Sequence, residues 1–235
     1  MGKFYSIELQ CTCIFPHFSA IVWAMEDRGV FGVIRPQREP STEEKIVEAA
    51  LQIFAQRGIE VTSLRTVADF AGVSPGAVQH HFKAKADLVA AVDAHVLQII
   101  ASTLEPSEYG PDYSSVTAGR DIVHLMLHHP TAMDYLKRAL VEGDPDTGVG
   151  RVIFDGLVKI SEKQGLKFQE LGLMRDDVDF LWSYLNPIAL RVGAIMLRQH
   201  IERFLPGRFY DQEQLKRWDA SVTNLLQHGA LIPHD

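Results

Sequence analysis

Two adjacent histidines, His80 and His81, stand between Ser74-Pro75-Gly76 and the lysines Lys83 and Lys85. Imidazoles beside hydroxyl, amide and ammonium groups suit three tasks: ligating a metal, moving a proton, or gripping something long and anionic. Metal ligation fits poorly. Neighbouring helical residues point about 100° apart, and no third ligand is close in sequence. Other candidate chemistries are thinner. Cys11 and Cys13 form a Cys-x-Cys without nearby partner ligands, and two cysteines are too few for a disulfide framework. His124 and His128 lie four apart on one helix face and could hold a metal. His129 and Pro130 follow at once, which favours polar residues at a helix end. Asp176, Asp177 and Asp179 could form a paired-carboxylate site, but they also suit a helix N-terminus. No nucleophile elbow, phosphate loop or zinc-hydrolase motif occurs. The expectation is no catalytic residue, no bound metal and no cofactor.

The elements around the histidines are helical. Ser41 or Thr42 caps a first helix with Glu43 and Glu44 in its opening turn. Ile46, Ala49, Ala50, Ile53 and Phe54 form its apolar stripe, and Arg57-Gly58 closes it. A second helix, capped by Thr62 or Ser63, buries Leu64, Val67, Ala68 and Ala71 and ends at Gly72. Ser74 caps a third, with Pro75 in the first position, where its missing N–H is no loss. That helix, Pro75 to His81, is barely two turns. A fourth runs from Ala84 or Lys85 to about Thr103, with Leu88, Val89, Val92, Val96 and Ile99 inward.

Two short helices joined by a tight Gly-Val-Ser turn make a helix-turn-helix. The second is too short and polar for a core element. Val78 anchors it, while Gly76, Gln79 and His80 face outward. Such a helix suits insertion into a DNA major groove, its N-terminal N–H groups toward phosphate. Gln79 and His80 can bond base edges or backbone. Thr62, Arg65 and Lys85 would hold the backbone on either side, with Ser74 and Pro75 at the helix entry. The competing reading of the histidine pair is two helix-end imidazoles stabilised by the dipole.

"TSLRTVADFAGVSPGAVQHHFKAKADLV" closely resembles the DNA-binding region of the tetracycline-repressor (TetR) family of bacterial regulators. The shared pattern is Gly58, Thr62, Val67-Ala68, Ala71-Gly72-Val73-Ser74, Ala77-Val78, His81-Phe82 and Lys85. It covers about residues 42 to 90. Where the family commonly has a backbone-contacting tyrosine, this chain has Gln79. The resemblance implies that His81 helps seat the recognition helix and that His80 faces DNA. It also implies a helical domain holding a small-molecule inducer, and dimerisation through the terminal helices.

Charge qualifies this reading. The net charge is −7, yet residues 35 to 90 carry equal numbers of bases and acids, so contact with DNA must come from a local surface. Arg35 and Arg38 precede the first helix and could form a basic arm for the minor groove, or a solvated linker. One such module grips little DNA, whereas a dimer presents two recognition helices roughly 34 Å apart. A dimer surface is therefore expected. Residues 176–205 read as one long helix kinked or broken at Pro187, with Val192, Gly193, Ile195, Met196 and Phe204 on one side. A last helix, Asp211 to about Gln227, carries Leu215, Trp218, Val222, Leu225 and Leu226. The interface is expected from Val192, Gly193, Met196, Leu215, Trp218, Val222 and Leu225, as a four-helix bundle about a two-fold axis. Middle helices are expected at Val116 to His128, Thr131 to Glu142 and Gly148 to Gly165. Their candidate pocket residues are His95, Met126, Met133, Phe154, Phe180, Trp182 and Tyr184, types that also make ordinary core.

The expected fold is all-α. Residues 1–40 form an N-terminal extension, 41–87 the helix-turn-helix domain, and 88–235 the ligand-binding and dimerisation domain. The extension is expected to be disordered, or to precede a true start at Met25 or nearby. No unbroken apolar run approaches the roughly 18 residues of a membrane span; the nearest, Ile14 to Met25, is interrupted. The sequence thus predicts a cytoplasmic, homodimeric repressor, released from a palindromic DNA operator by a small-molecule effector. The competing classes are a metal-responsive regulator using the His124/His128 region and an α-helical enzyme.

Overall fold

The computed structural model describes residues 39–104, 115–143, 146 and 148–230, with the backbone alone for 115–120 and 230. Cys11, Cys13, Met25, Arg35 and Arg38 lie outside the described residues. Regular structure among those described is helical.

Capping decides where the first helices start. α1 (Thr42–Arg57) opens on a reciprocal cap. The Ser41 hydroxyl accepts from the Glu44 N–H at 3.2 Å, and the Glu44 carboxylate accepts from the Ser41 N–H at 2.7 Å. Two donors that helix geometry leaves orphaned are satisfied together. α2 (Leu64–Ala71) starts at Ser63, whose side chain accepts from the Thr66 N–H, and stops at Gly72. Gly72 has φ 67°, a left-handed conformation that glycine adopts without a Cβ penalty. α3 (Pro75–His81) starts at Ser74, which caps the Ala77 N–H.

α4 (Lys85–Leu104) follows, then α5 (Ser115–His128), α6 (Pro130–Glu142) and α7 (Val149–Glu170). By length and a mean hydropathy of 1.4, α4 is apolar enough to cross a membrane, although no unbroken apolar run marks it in the sequence. Here it is a core helix. Leu88, Val92, Val96 and Ile100 are buried against neighbours, and α1, α5 and α7 pack around it. α7 runs a turn beyond Gly165, to Glu170.

Residues 176–205 do not form one helix. Asp179 caps the Trp182 N–H, so α8 (Phe180–Met196) starts there. Pro187 lies inside α8 without ending it. The break comes after Met196: α9 (Arg198–Ile201) and a 3₁₀ turn (Glu202–Phe204) leave at 68° to α8. α10 (Gln212–Ala230) ends the described chain and packs along α5. The aspartates of this region have structural work. Asp179 is the cap, and Asp177 is gripped by Arg175 through bonds of 2.6 and 2.9 Å. The Arg175 hydrogen bond holds the Asp177 carboxyl below its ordinary range.

α1, α4 and α6 meet around one polar bond in an apolar setting. Tyr135 of α6 is fully buried and donates its O–H to Asp93 of α4 at 2.6 Å. Its ring lies 6.4 Å from that of Phe54 on α1. Burial pushes the Asp93 carboxyl up to about 6 and outweighs the Tyr135 bond, which lowers it. The folded state therefore favours protonated Asp93. Its contribution to stability is full below the ordinary carboxylate value of 3.8 and is lost as pH rises to about 6. Asp93→Asn keeps the acceptor for Tyr135 and removes the charge. It should stabilise the fold at pH 7.5 by on the order of 2 kcal/mol, and by clearly less at pH 5. Thermal melts across that range check this; a pH-independent difference would reject it.

Candidate functional site

The described DNA-binding candidates lie on α2, α3 and the segments beside them. Val78 is fully buried beneath α3, while Pro75, Gly76, Gln79, His80 and His81 are exposed on it. The apolar anchor and its packing against α2 hold the helix with its polar face to solvent. Ser74, also exposed, caps it. The His80 and His81 rings meet edge-on with centroids 5.4 Å apart, and His81 Nδ1 lies 3.6 Å from the Glu43 carboxylate of α1. α3 carries no lysine or arginine. Arg65 is exposed on α2. Lys85, at the start of α4, donates to the Glu60 carbonyl at 2.9 Å and so ties α4 to the α1–α2 connection.

Thr62 differs from its expected place. It is 3% exposed, and its hydroxyl donates to the Gly58 carbonyl at 2.8 Å. It braces the α1–α2 turn from inside rather than offering a hydroxyl outward.

A second feature lies deeper. A partly open cavity of ≈ 80 Å³ is lined by α4, α5, α6, α7 and α8. Ile100 and Leu104, Met126, Met133 and Leu136, Leu157, and Ile188 with Val192 supply wall from each helix in turn. The polar side chains in it are Ser161, Gln164 and Arg191. Ser161 Oγ donates to the Tyr184 carbonyl at 2.8 Å, and Gln164 Nε2 to the Leu104 carbonyl at 2.7 Å, so both donors serve the wall itself. Burial raises the carboxyl of Asp219 on α10 above its ordinary range, and the Arg191 charge pulls it back. The site is an apolar hollow whose Ser161 and Gln164 side chains bond to backbone carbonyls.

Of the pocket candidates, Met126 and Met133 line this cavity. The other five do not. His95 sits off the wall, with Nε2 3.7 Å from the Glu48 carboxylate of α1. Phe154 is exposed on α7. Phe180 and Tyr184 pack edge-on at 5.6 Å on α8. Trp182 is 54% exposed. The missed wall residues are mostly Ile and Leu, which in sequence look like any core position, together with Ser161, Gln164, Pro187 and Arg191.

His124 and His128 stack with centroids 4.0 Å apart, and His128 Nδ1 lies 2.9 Å from the His124 carbonyl. Burial, then the charges of His124 and His128, lower the pKa of His129. Among the described residues no group of three or more His, Cys, Asp or Glu is arranged to hold a metal.

The interface candidates divide by direction. Leu215 and Val222 are buried, and Trp218 packs edge-on to Phe209 with centroids 5.4 Å apart. Val192 is cavity wall. Leu225, 61% exposed, and Met196 face out, and nothing approaches the Cβ position of Gly193. Outward apolar surface also comes from residues outside that set. Trp182, Leu190, Leu225 and Leu226 line a groove between α8 and α10.

Residues 46–92 match the family model described as bacterial regulatory proteins, tetR family. Over 54 residues the chain is 37% identical to the transcriptional repressor KstR2 of Mycolicibacterium smegmatis, 23% of this chain and 26% of that one. Over 127 residues it is 28% identical to the transcriptional regulator SrpR of Pseudomonas putida, 52% of this chain and 55% of that one. These matches therefore span between a quarter and about half of the relatives' lengths. Among solved structures, SmeT, the repressor of the Stenotrophomonas maltophilia multidrug efflux pump SmeDEF, superposes with a TM-score of 0.62 at 20% identity. That match covers 82% of this chain and 91% of SmeT, and at such identity it speaks for the fold alone. With its capped helix-turn-helix and these likenesses, the chain carries over residues 46–92 a DNA-binding region similar to that of the tetR family of bacterial regulatory proteins, and its helical bundle has the fold of solved tetR-family regulators.

Proposed function

We propose that this chain is a homodimeric, sequence-specific DNA-binding regulator of the bacterial cytoplasm, a repressor that leaves a palindromic operator when a small apolar molecule enters its cavity. The observation that carries this reading is the reach of α4. Lys85, at one end, is tied to the α1–α2 connection beside the recognition helix. Ile100 and Leu104, at the other, are cavity wall. A helix of this length moves as a rod, so a change at the cavity reaches the DNA-binding end. No catalytic step belongs to this reading.

The cavity's size supports a two-state device. Typical ligand sites hold about 300 Å³ or more, and even a dry cavity of about 150 Å³ admits only benzene-sized guests. At ≈ 80 Å³ the hollow must widen to take a ligand, and its walls are the helices that would move. A ligand shifts the balance only by its differential affinity for the wide form, and a useful shift needs a few kcal/mol. The wall favours a neutral ligand. A carboxylate would find the Ser161 and Gln164 donors engaged, and it would compete with Asp219 for Arg191.

The second copy is proposed to cover the α8–α10 groove. Leu225 and Trp182 would meet the partner there, with Gly193 and Met196 further along the same outward side of α8. Leu215, Trp218 and Val222 pack inward and serve the subunit's own core.

Four outcomes are expected. With an operator obtained by random-sequence selection, Gln79→Ala and His80→Ala should each weaken specific binding by about 1–3 kcal/mol. Arg65→Ala should weaken binding to every sequence and reduce the salt slope by about one; filter binding across salt concentrations reads both, and unchanged affinities would remove α2 and α3 from the DNA face. Leu225→Glu should turn the dimer into a folded monomer by sedimentation, and an unchanged mass would place the interface elsewhere. Primary alcohols from butanol to decanol should bind about three- to fourfold more tightly per added methylene, with decanol well above decanoate at pH 8. A preference for decanoate by calorimetry would reject the neutral ligand class.

A further inference from the structure

We infer that Arg138 is a positioning residue that latches the DNA-binding helices to the cavity wall through α6, beside the connection that α4 itself makes. The inference rests on the ligand-release reading above.

α1 ends at Arg57, and the last carbonyls of any α-helix lack helical donors. Here an arginine from another element supplies them. Arg138 Nε donates to the Ala55 carbonyl at 2.6 Å, and Nη2 to the Gln56 carbonyl at 2.9 Å. Nη1 donates to Glu142 Oε1, one turn on, at 2.6 Å. All three guanidinium nitrogens are committed, two to α1 and one to α6. The positive charge also meets the negative end of the α1 dipole.

Gly58 makes the close approach feasible. Its φ is 99°, and a Cβ there would lie 3.1 Å from Glu142 Oε2 and 3.5 Å from Arg138 Nη1. A side chain at 58 would be strained by its backbone and crowd the ion pair. A lysine at 138 could not reproduce the bond pattern, because one ammonium cannot present a planar fork to two adjacent carbonyls.

The same short helix reaches the cavity. Met133 and Leu136 of α6 are wall residues, five and two positions before Arg138. A ligand that widens the hollow must displace them. α6 has 13 residues and no internal proline or glycine, so the displacement passes along it undamped. It arrives at Ala55 and Gln56, on a helix packed against both α2 and α3. A clamp that only added stability would also contact α1, but it would not carry the ligand's effect there. The test therefore reads ligand response, not melting.

Hydrogen exchange on the full chain, with and without decanol, makes the distinction. In the parent protein decanol should change exchange in residues 130–142 and also in 55–62. In Arg138→Met the response of 130–142 should persist, while that of 55–62 should fall at least threefold. Arg138→Lys should fail to restore it. Glu142→Gln, which leaves both bonds to α1 but loosens the guanidinium, should give an intermediate response even if Arg138→Met folds poorly. An undiminished 55–62 response in Arg138→Met, or in Glu142→Gln where only that variant folds, would overturn the latch and leave the ligand reading standing. No decanol response in 130–142 of the parent protein would overturn the ligand reading, and the latch with it.

Discussion

The buried bond from Tyr135 to Asp93 is the contact on which the arrangement turns. It joins α4 to α6 inside an apolar junction, with Phe54 of α1 against the same ring. A neutral O–H can be buried at little cost when it has an acceptor, whereas an unpaired carboxylate cannot. Each partner thus needs the other, so at this junction α4 and α6 move together. Because α1 packs on this pair, the helix-turn-helix is seated on the elements that enclose the hollow. In the proposed reading, that seating lets the hollow act on the exposed recognition helix.

The polar economy of the cavity has the same logic. Ser161 and Gln164 bond to carbonyls of neighbouring helices, and Arg191 answers Asp219. The two hydrogen bonds hold α4, α7 and α8 in register across an otherwise apolar space. They leave the space itself with little to offer a charged guest. Recognition then depends on shape and apolar area, which are additive and unselective in detail. In the proposed reading such a site senses a class of molecules by shape and apolar area rather than by charge.

The helix-turn-helix was legible in the sequence because local chemistry sets it. Ser41 with Glu44, Ser63, Ser74-Pro75 and Gly72 each act within a few residues, and the helices begin and end where those residues require. What depends on tertiary direction was not legible. Residue type cannot say which side of α8 or α10 faces a neighbour, so Leu215 and Val222 read like interface while they pack inward, and Trp182 read like pocket while it faces solvent. The cavity is walled mainly by aliphatic residues whose periodicity is that of any core. Thr62 read as a DNA contact by its place in the motif, yet its hydroxyl is spent on Gly58. The break after Met196 was hidden because Leu197-Arg198-Gln199-His200 are good helix formers, and only the packed fold turns the chain there. Arg138 carries no signal of its place on α1, since the Ala55 and Gln56 carbonyls lie more than eighty residues away and only its pairing with Glu142 is local.

The most direct test of ligand-controlled DNA binding is footprinting of the purified protein on its selected operator, at one stated salt concentration, with and without saturating decanol. A protected palindrome of one or two helical turns, lost when decanol is added, is the expected result. Protection that persists unchanged with decanol bound, or a folded dimer that selects no sequence, would contradict it.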